Sequence, residues 1–229
     1  MIPLRDNIAS RGVATLNYVI IIFNVLIFLL ELSLGKELDD FIRVFGFVPR
    51  NFFLHLDRGN PAGAVIPIFS SLFLHGGWLH LIGNMWTLFI FGDNVEDTLG
   101  HGKYLLLYLA CGAAACFAQL LANPTSNMPM VGASGAIAGV MGAYFALFPT
   151  ARILTLIPVF FFVIIEVPAY VFLGIWFVLQ FFFGTFSILG ARAEVGVAFW
   201  AHVGGFLAGY LFLHILAPGR SRSPFQTRT

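Results

Sequence analysis

Charge is what this 229-residue sequence has least of. Lysine, arginine, aspartate and glutamate make up 10% of it, against about 25% in soluble domains. That shortage excludes an ordinary water-soluble globule. The net charge of +1 leaves no electrostatic footprint for nucleic acid or an acidic partner. Cysteine is nearly missing as well. Cys111 and Cys116 stand five apart in one apolar run, where they read as small buried hydrophobes rather than a disulfide. No His-Glu-x-x-His string occurs, which removes the signature of a zinc protease. There is no typical signal peptide. The first apolar run is too long for an h-region and has no small-residue cleavage site, so it reads as a retained anchor.

What the chain has in abundance is hydrophobic residues, 59% of the total, with a mean hydropathy of +0.90. Runs of about 20 apolar residues are membrane spans. Six are predicted, over 14–34, 66–91, 103–122, 132–148, 166–183 and 199–216. The expected fold class is an all-α membrane protein, a multi-pass bundle of six transmembrane helices, between a cytoplasmic N-terminus (1–13) and a disordered cytoplasmic tail (217–229). An even count places both termini on one side. Arg5, Arg11, Lys103, Arg152, Arg220, Arg222 and Arg228 fall there, against Lys36, Arg43, Arg50 and Arg58 in one long loop opposite, which Glu37, Asp39, Asp40 and Asp57 match, so the positive-inside rule makes that side cytoplasmic by a modest bias. A cell (plasma or inner) membrane of a bacterium or archaeon is the expected location. The long polar loop 35–65 reads equally as an interfacial amphipathic element or an ordinary external loop. The apolar stretch 153–165 is too short to cross and reads as re-entrant or interfacial, while the loop 184–197 has the glycine and polarity of a movable segment.

Polar side chains are costly in hydrocarbon and tend to face a cavity. Here they gather in three predicted spans. The second reads "SSLFLHGGWLHLIGNMW" and carries His75, His80 and Asn84, the last two one turn apart on one helical face. The fourth opens with Ser134 in "VGASGAIAG", and the sixth holds His202 in "FWAHVGGFLAGY". Gly135 and Gly139 follow the serine and Gly205 and Gly209 follow the histidine, two small-xxx-small faces that let helices approach closely. Each polar residue alone is an ordinary helix-packing group. Together they fit acyl transfer. A serine needs a base to become a nucleophile, and His202, with an ordinary imidazole pKa of about 6.5, is the candidate. That role predicts activity lost on acidification. The oxyanion formed needs aimed donors. His80, Asn84 and the Ser134 N–H at a helix start can supply them. No carboxylate completes a triad, so the reading is a Ser-His dyad.

The strings "GASGAIAG", "HGGWLHLIGNMW" and "AHVGGFLAG", in their order along the chain, resemble those of the rhomboid intramembrane serine proteases over roughly residues 14–216. The resemblance implies Ser134 as nucleophile, His202 as general base, and His80 and Asn84 as the oxyanion hole. It implies Gly132, His75 and Glu96 in support, Glu96 as a carboxylate tying the second and third spans. It implies cleavage of transmembrane protein substrates in or near their spans, with the lipid bilayer as medium and no metal or other cofactor. The fifth span and the loop before the sixth resemble the family's substrate gate and cap. Two positions depart from the pattern. Ala138 stands where some bacterial members carry an aromatic ring against which the histidine stacks, so another group has to hold His202. "FGFVPRN" stands in the first loop in place of a Trp-Arg pair.

Three other readings fit less of the chain. An inactive relative that binds membrane clients would have lost the serine or a histidine. A transporter would show paired broken helices or intramembrane acids, and only Glu166 is a candidate. Zinc chemistry would have His75, His80 and His202 but no carboxylate partner. Substrate identity and oligomeric state are not written in the sequence.

Overall fold

A computed structural model describes residues 1–10, 12–158, 162–188 and 197–218. A short strand β1 (Ile2–Asp6) precedes helix α1 (Thr15–Ser33). Small helices α2 (Leu38–Phe45), α3 (Pro49–Asp57) and α4 (Pro61–Ser70) follow, then α5 (Trp78–Leu99), α6 (His101–Ala122) and α7 (Ser134–Leu147). A hairpin of β2 (Arg152–Pro158) and β3 (Phe162–Pro168) leads to α8 (Ala169–Ile188) and α9 (Phe199–Leu216).

Helix α7 is the centre. Every residue from Gly135 to Tyr144 is buried, and α7 packs most extensively on α9, then on α6 and α5. The glycines explain how closely. A Cβ on Gly205 would overlap the carbonyl of Gly135, and one on Gly209 would overlap the carbonyl of Gly139. The two backbones touch because no side chain separates them. With 14 residues, α7 spans about 21 Å, short of the hydrocarbon thickness of about 30 Å. Ser134 at its head and the sheet at its foot therefore cannot both lie at a membrane surface.

The outer helices turn apolar faces outward. In α1 the buried residues are Asn17, Ile20, Asn24, Phe28 and Glu31, while Ile22, Phe23, Leu26, Leu29 and Leu30 are exposed. The polar groups take the protein side because lipid offers them no partner. Asn17 donates to the Leu88 carbonyl at 3.2 Å and accepts from the Tyr104 hydroxyl at 2.6 Å. Four helices, α1, α6, α8 (over Ala169–Ser187) and α9, have the length and hydropathy of a span, and α7 is a shorter apolar helix. The chain is a multi-pass, predominantly helical membrane protein.

The structure corrects the sequence reading in four places. The second predicted span is not one rod. The segments Pro61–Phe73 and Trp78–Leu99 meet at 81°, and the pair makes a fifth span only if counted together. The break falls at Gly76-Gly77, where Gly77 has φ +151°, a conformation a side chain resists. His75 thus sits in the break rather than in a helix. The described residues of 153–165, expected as a re-entrant or interfacial segment, lie within two strands: β2 and β3 pair antiparallel from Arg152↔Pro168 to Pro158↔Phe162, and β1 adds to β2 with Ile2 opposite Leu156. Alongside that sheet, the N-terminal segment is pinned to the bundle by Trp86 Nε1 donating to the Pro3 carbonyl at 2.7 Å and Tyr144 Oη to Asp6 at 2.6 Å. Glu166 does not open the fifth span. It lies on β3, exposed, 3.4 Å from the Arg152 guanidinium, and α8 starts three residues later and runs beyond 183. The expected mobile loop 184–197 begins as the last turn of α8; residues 189–196 lie outside the described ones, as do Arg11 and 219–229, most of the predicted tail. The loop 35–65 forms α2, α3 and the start of α4.

Glu96, fully buried near the end of α5, accepts from the backbone N–H of Leu16 at 2.9 Å and of Asn17 at 2.7 Å. It also meets His101 at the start of α6. An anion at the head of α1 complements that helix's dipole. Hydrogen bonds to a charged group are worth about 1.5–3 kcal/mol each. Glu96→Ala is expected to lower the thermal transition in detergent clearly, with Ser134 chemistry intact well below it. An unchanged transition would remove Glu96 from the account of stability.

Candidate active site

Ser134 is the first residue of α7, where the leading N–H groups of a helix have no intrahelical partner. The turn before it depends on Gly132. Its φ is +122°, and its N–H donates to the Ser71 carbonyl at 2.9 Å. A Cβ there would sit 2.6 Å from His80 Cε1 and Nε2 and 3.5 Å from Asn84 Nδ2. A side chain at 132 would therefore displace His80. The glycine lets His80 and Asn84 come against the backbone beside the serine.

His202 lies in the first turn of α9. The close α7–α9 packing brings its Nε2 to 2.8 Å from Ser134 Oγ. Its other ring nitrogen, Nδ1, is 2.7 Å from Oε1 of Gln180 on α8. The Trp176 ring lies over the imidazole with centroids 5.8 Å apart and planes 36° from parallel. A neutral imidazole has one N–H and one lone pair. With an amide oxygen facing Nδ1, the lone pair is on Nε2, facing the serine hydroxyl.

The second group comes from the start of α5. His80 Nδ1 accepts from the Gly76 N–H at 3.4 Å, which leaves its Nε2–H as the free donor. Asn84 Nδ2 donates to His75 Nε2 at 3.1 Å and keeps a second hydrogen. His75 is held in turn from α1: its backbone N–H reaches both carboxylate oxygens of Glu31 at 3.1 Å. Glu31, His75 and Asn84 thus form a chain from the first helix to the Gly132 turn beside the serine.

A cavity of about 920 Å³ opens over these groups, lined by His80, Asn84, Gly132, Ser134, Trp200 and His202 among others. It offers a hydroxyl beside a base, and N–H donors across from it. Among the described residues, no three His, Cys, Asp or Glu side chains gather as metal ligands.

The structure thus brings Ser134, His202, His80, Asn84 and Gly132 to one place, with His75 behind Asn84. Glu96 is elsewhere, 16 residues along α5 from His80 and about 24 Å away along the helix. Gln180 and Glu31 were not anticipated. The signal for both was present. Glu31 is the one carboxylate of α1 and Gln180 the one amide of α8, polar exceptions in apolar helices open to the same cost argument that singled out Ser134 and His202.

Fold and site together define a multi-pass helical membrane protein carrying a hydroxyl–imidazole pair at the head of its central helix. A family model, the Rhomboid domain, matches residues 62–219. The chain belongs to the rhomboid family. It is 32% identical over 135 residues to the Rhomboid protease GluP of Bacillus subtilis (strain 168), covering 58% of this chain and 25% of that protein. It is 36% identical over 76 residues to RHOMBOID-like protein 5 of Arabidopsis thaliana, covering 33% and 25%. It is 31% identical over 98 residues to the mitochondrial Presenilin-associated rhomboid-like protein of Homo sapiens, covering 41% and 26%. The chain matches about a quarter of the length of these curated relatives.

Proposed function

We propose that this chain is an intramembrane serine endopeptidase that cleaves transmembrane protein substrates within or near their spans. The observation that carries this is the 2.8 Å approach of His202 Nε2 to Ser134 Oγ, with His80 and Asn84 beside the same backbone turn. In the proposed reaction His202 Nε2 takes the Ser134 hydroxyl proton as Oγ bonds to the scissile carbonyl carbon. The carbonyl oxygen becomes an oxyanion and accepts from His80 Nε2–H, the second Asn84 Nδ2 hydrogen and the N–H at the head of α7. The imidazolium passes its proton to the amine nitrogen as the C–N bond breaks, leaving an acyl-serine. His202 then takes a proton from water, whose oxygen attacks the acyl carbon, and returns it to Ser134 Oγ.

The bilayer is the medium of this reaction, and the reading needs no cofactor. The Lys103 and Arg152 loops mark the side opposite the head of α7, and by the positive-inside rule they support the reading that both termini are cytoplasmic.

The test is cleavage of a single-span reporter by purified protein in liposomes, beside Ser134→Ala. Cleavage by the parent chain alone supports the reading; cleavage by both removes Ser134 from the chemistry; cleavage by neither across a panel of reporters favours a client-binding, non-proteolytic role. Loss of one oxyanion donor costs about 10²–10³ in kcat. Asn84→Ala is expected in that range with KM little changed. His75→Ala is expected to cost less, because it releases the Asn84 amide without removing it. A His75→Ala loss exceeding that of Asn84→Ala would contradict the relay.

A further inference from the structure

Ala138 offers the His202 imidazole no ring to stack on, its side chain being a single methyl group. Trp176 of α8 supplies a ring against the imidazole, and we propose that Gln180, one turn on, is a positioning residue that fixes the tautomer of His202. The inference rests on reading Ser134 and His202 as the reacting pair.

The geometry is a three-member line. Gln180 Oε1 is 2.7 Å from Nδ1, and Nε2 is 2.8 Å from Ser134 Oγ. An amide oxygen only accepts, so the single proton of the neutral ring stays on Nδ1. The Nε2 lone pair then points at the hydroxyl whose proton it must take. With the amide turned over, its NH₂ would face Nδ1 and drive the ring proton to Nε2. The serine would meet an N–H, and the base would be blocked. In a Ser-His-Asp triad the carboxylate performs this service, and losing the right tautomer costs about 10⁴ in kcat. A neutral amide supplies the orientation without the charge, so its contribution is smaller. At metal sites, partners that orient a ligating histidine through its other nitrogen matter by about 10- to 100-fold, and the same scale is expected here.

The placement of Gln180 is built, not incidental. It is the one amide among the 20 residues of α8. The Thr185 and Ser187 hydroxyls satisfy themselves on carbonyls of their own helix, from Phe181 and Gly184. Gln180 instead reaches across to α9. Trp176, one turn before it, packs on His202 and Phe206. Gly184, one turn after it, accepts from Trp200 Nε1 at 3.0 Å. These contacts at i, i+4 and i+8 set the height of the amide on the α8–α9 seam. Helix α8 is the least buried of the four span-length helices. The tautomer of the base is therefore tied to the seating of the least buried of those four helices.

The test compares the parent chain, Gln180→Leu and Gln180→Glu. Leucine keeps the bulk and loses the acceptor; glutamate keeps an acceptor oxygen at the same reach. Reporter cleavage in liposomes gives kcat and KM, and a thermal melt tracks folding. ¹⁵N NMR of histidine-labelled protein, with His202→Ala to assign its signals, reports which ring nitrogen holds the proton. The expected result is an Nδ1–H ring in the parent chain and a mixed or Nε2–H ring in Gln180→Leu. With it goes a kcat fall of about 10- to 100-fold at unchanged KM and melting, recovered to within a few-fold in Gln180→Glu. A Gln180→Leu protein with full kcat and a retained Nδ1–H ring would overturn the proposal. So would equal losses in both variants alongside lowered melting. If the parent chain cleaves nothing, the protease reading fails separately, and the tautomer measurement still decides the role of Gln180.

Discussion

Ser134→Ala and His202→Ala are each expected to lower single-turnover cleavage by at least about 10⁴-fold, and the double variant by no more than either single. The reason is the 2.8 Å contact between Oγ and Nε2. A serine hydroxyl without its base does not ionise near neutrality, and the base without the hydroxyl has nothing to activate. Groups that act as one unit fail as one unit, so their losses do not add. What survives in each variant is the donor set from His80, Asn84 and the head of α7, which still binds a polarised carbonyl. Ser134→Ala should melt close to the parent chain, while His202→Ala, which also gives up the Gln180 and Trp176 contacts on α8, should melt modestly lower but stay folded. Additive losses would mean two independent contributions and would break the dyad.

Gly209→Leu is expected to abolish the folded bundle rather than to impair catalysis alone. A Cβ at 209 would overlap the carbonyl carbon and oxygen of Gly139. Ordinary overpacking costs about 1–3 kcal/mol, because flexible side chains give way. Here the obstacle is the backbone of the central helix, and α9 can accept a leucine only by lifting off α7. That separation would also draw His202 from Ser134. Gly174→Ala is the control. Its added Cβ would meet nothing within 4 Å on α8, and alanine is the better helix former. The leucine variant should lose its thermal transition while the alanine variant keeps it. A normally melting Gly209→Leu protein would show that α7 and α9 are not held backbone to backbone.

Much of this site was legible because hydrocarbon makes polarity conspicuous. Ser134, His80, Asn84 and His202 stand out as polar groups in apolar runs, and the glycines behind Ser134 and His202 announced a close helix pair. The break at Gly76-Gly77 was hidden because apolar residues continue on both sides of it, and hydropathy does not register direction. The hairpin of β2 and β3 was hidden because its third strand, Ile2–Asp6, comes from about 150 residues away, and 13 apolar residues look alike as strand or helix. Glu31 and Gln180 were visible as polar exceptions, but their partners were not. Which face of α1 or α8 meets the protein is settled by neighbouring helices, so a backbone N–H at His75 and a ring nitrogen at His202 emerge only in three dimensions. Ala138 did state the need for another support. It did not say from which helix the support comes.

The most direct test of the central claim, that His202 makes Ser134 a nucleophile, is covalent labelling with a fluorophosphonate followed by peptide mapping. Phosphorus bonds to the attacking oxygen and fluoride leaves, so the adduct marks whichever hydroxyl the protein activates. The account predicts one adduct, on the peptide containing Ser134, in the parent chain, and none in His202→Ala at the same protein and probe concentrations. An adduct on another residue, or equal labelling of Ser134 without His202, would contradict it.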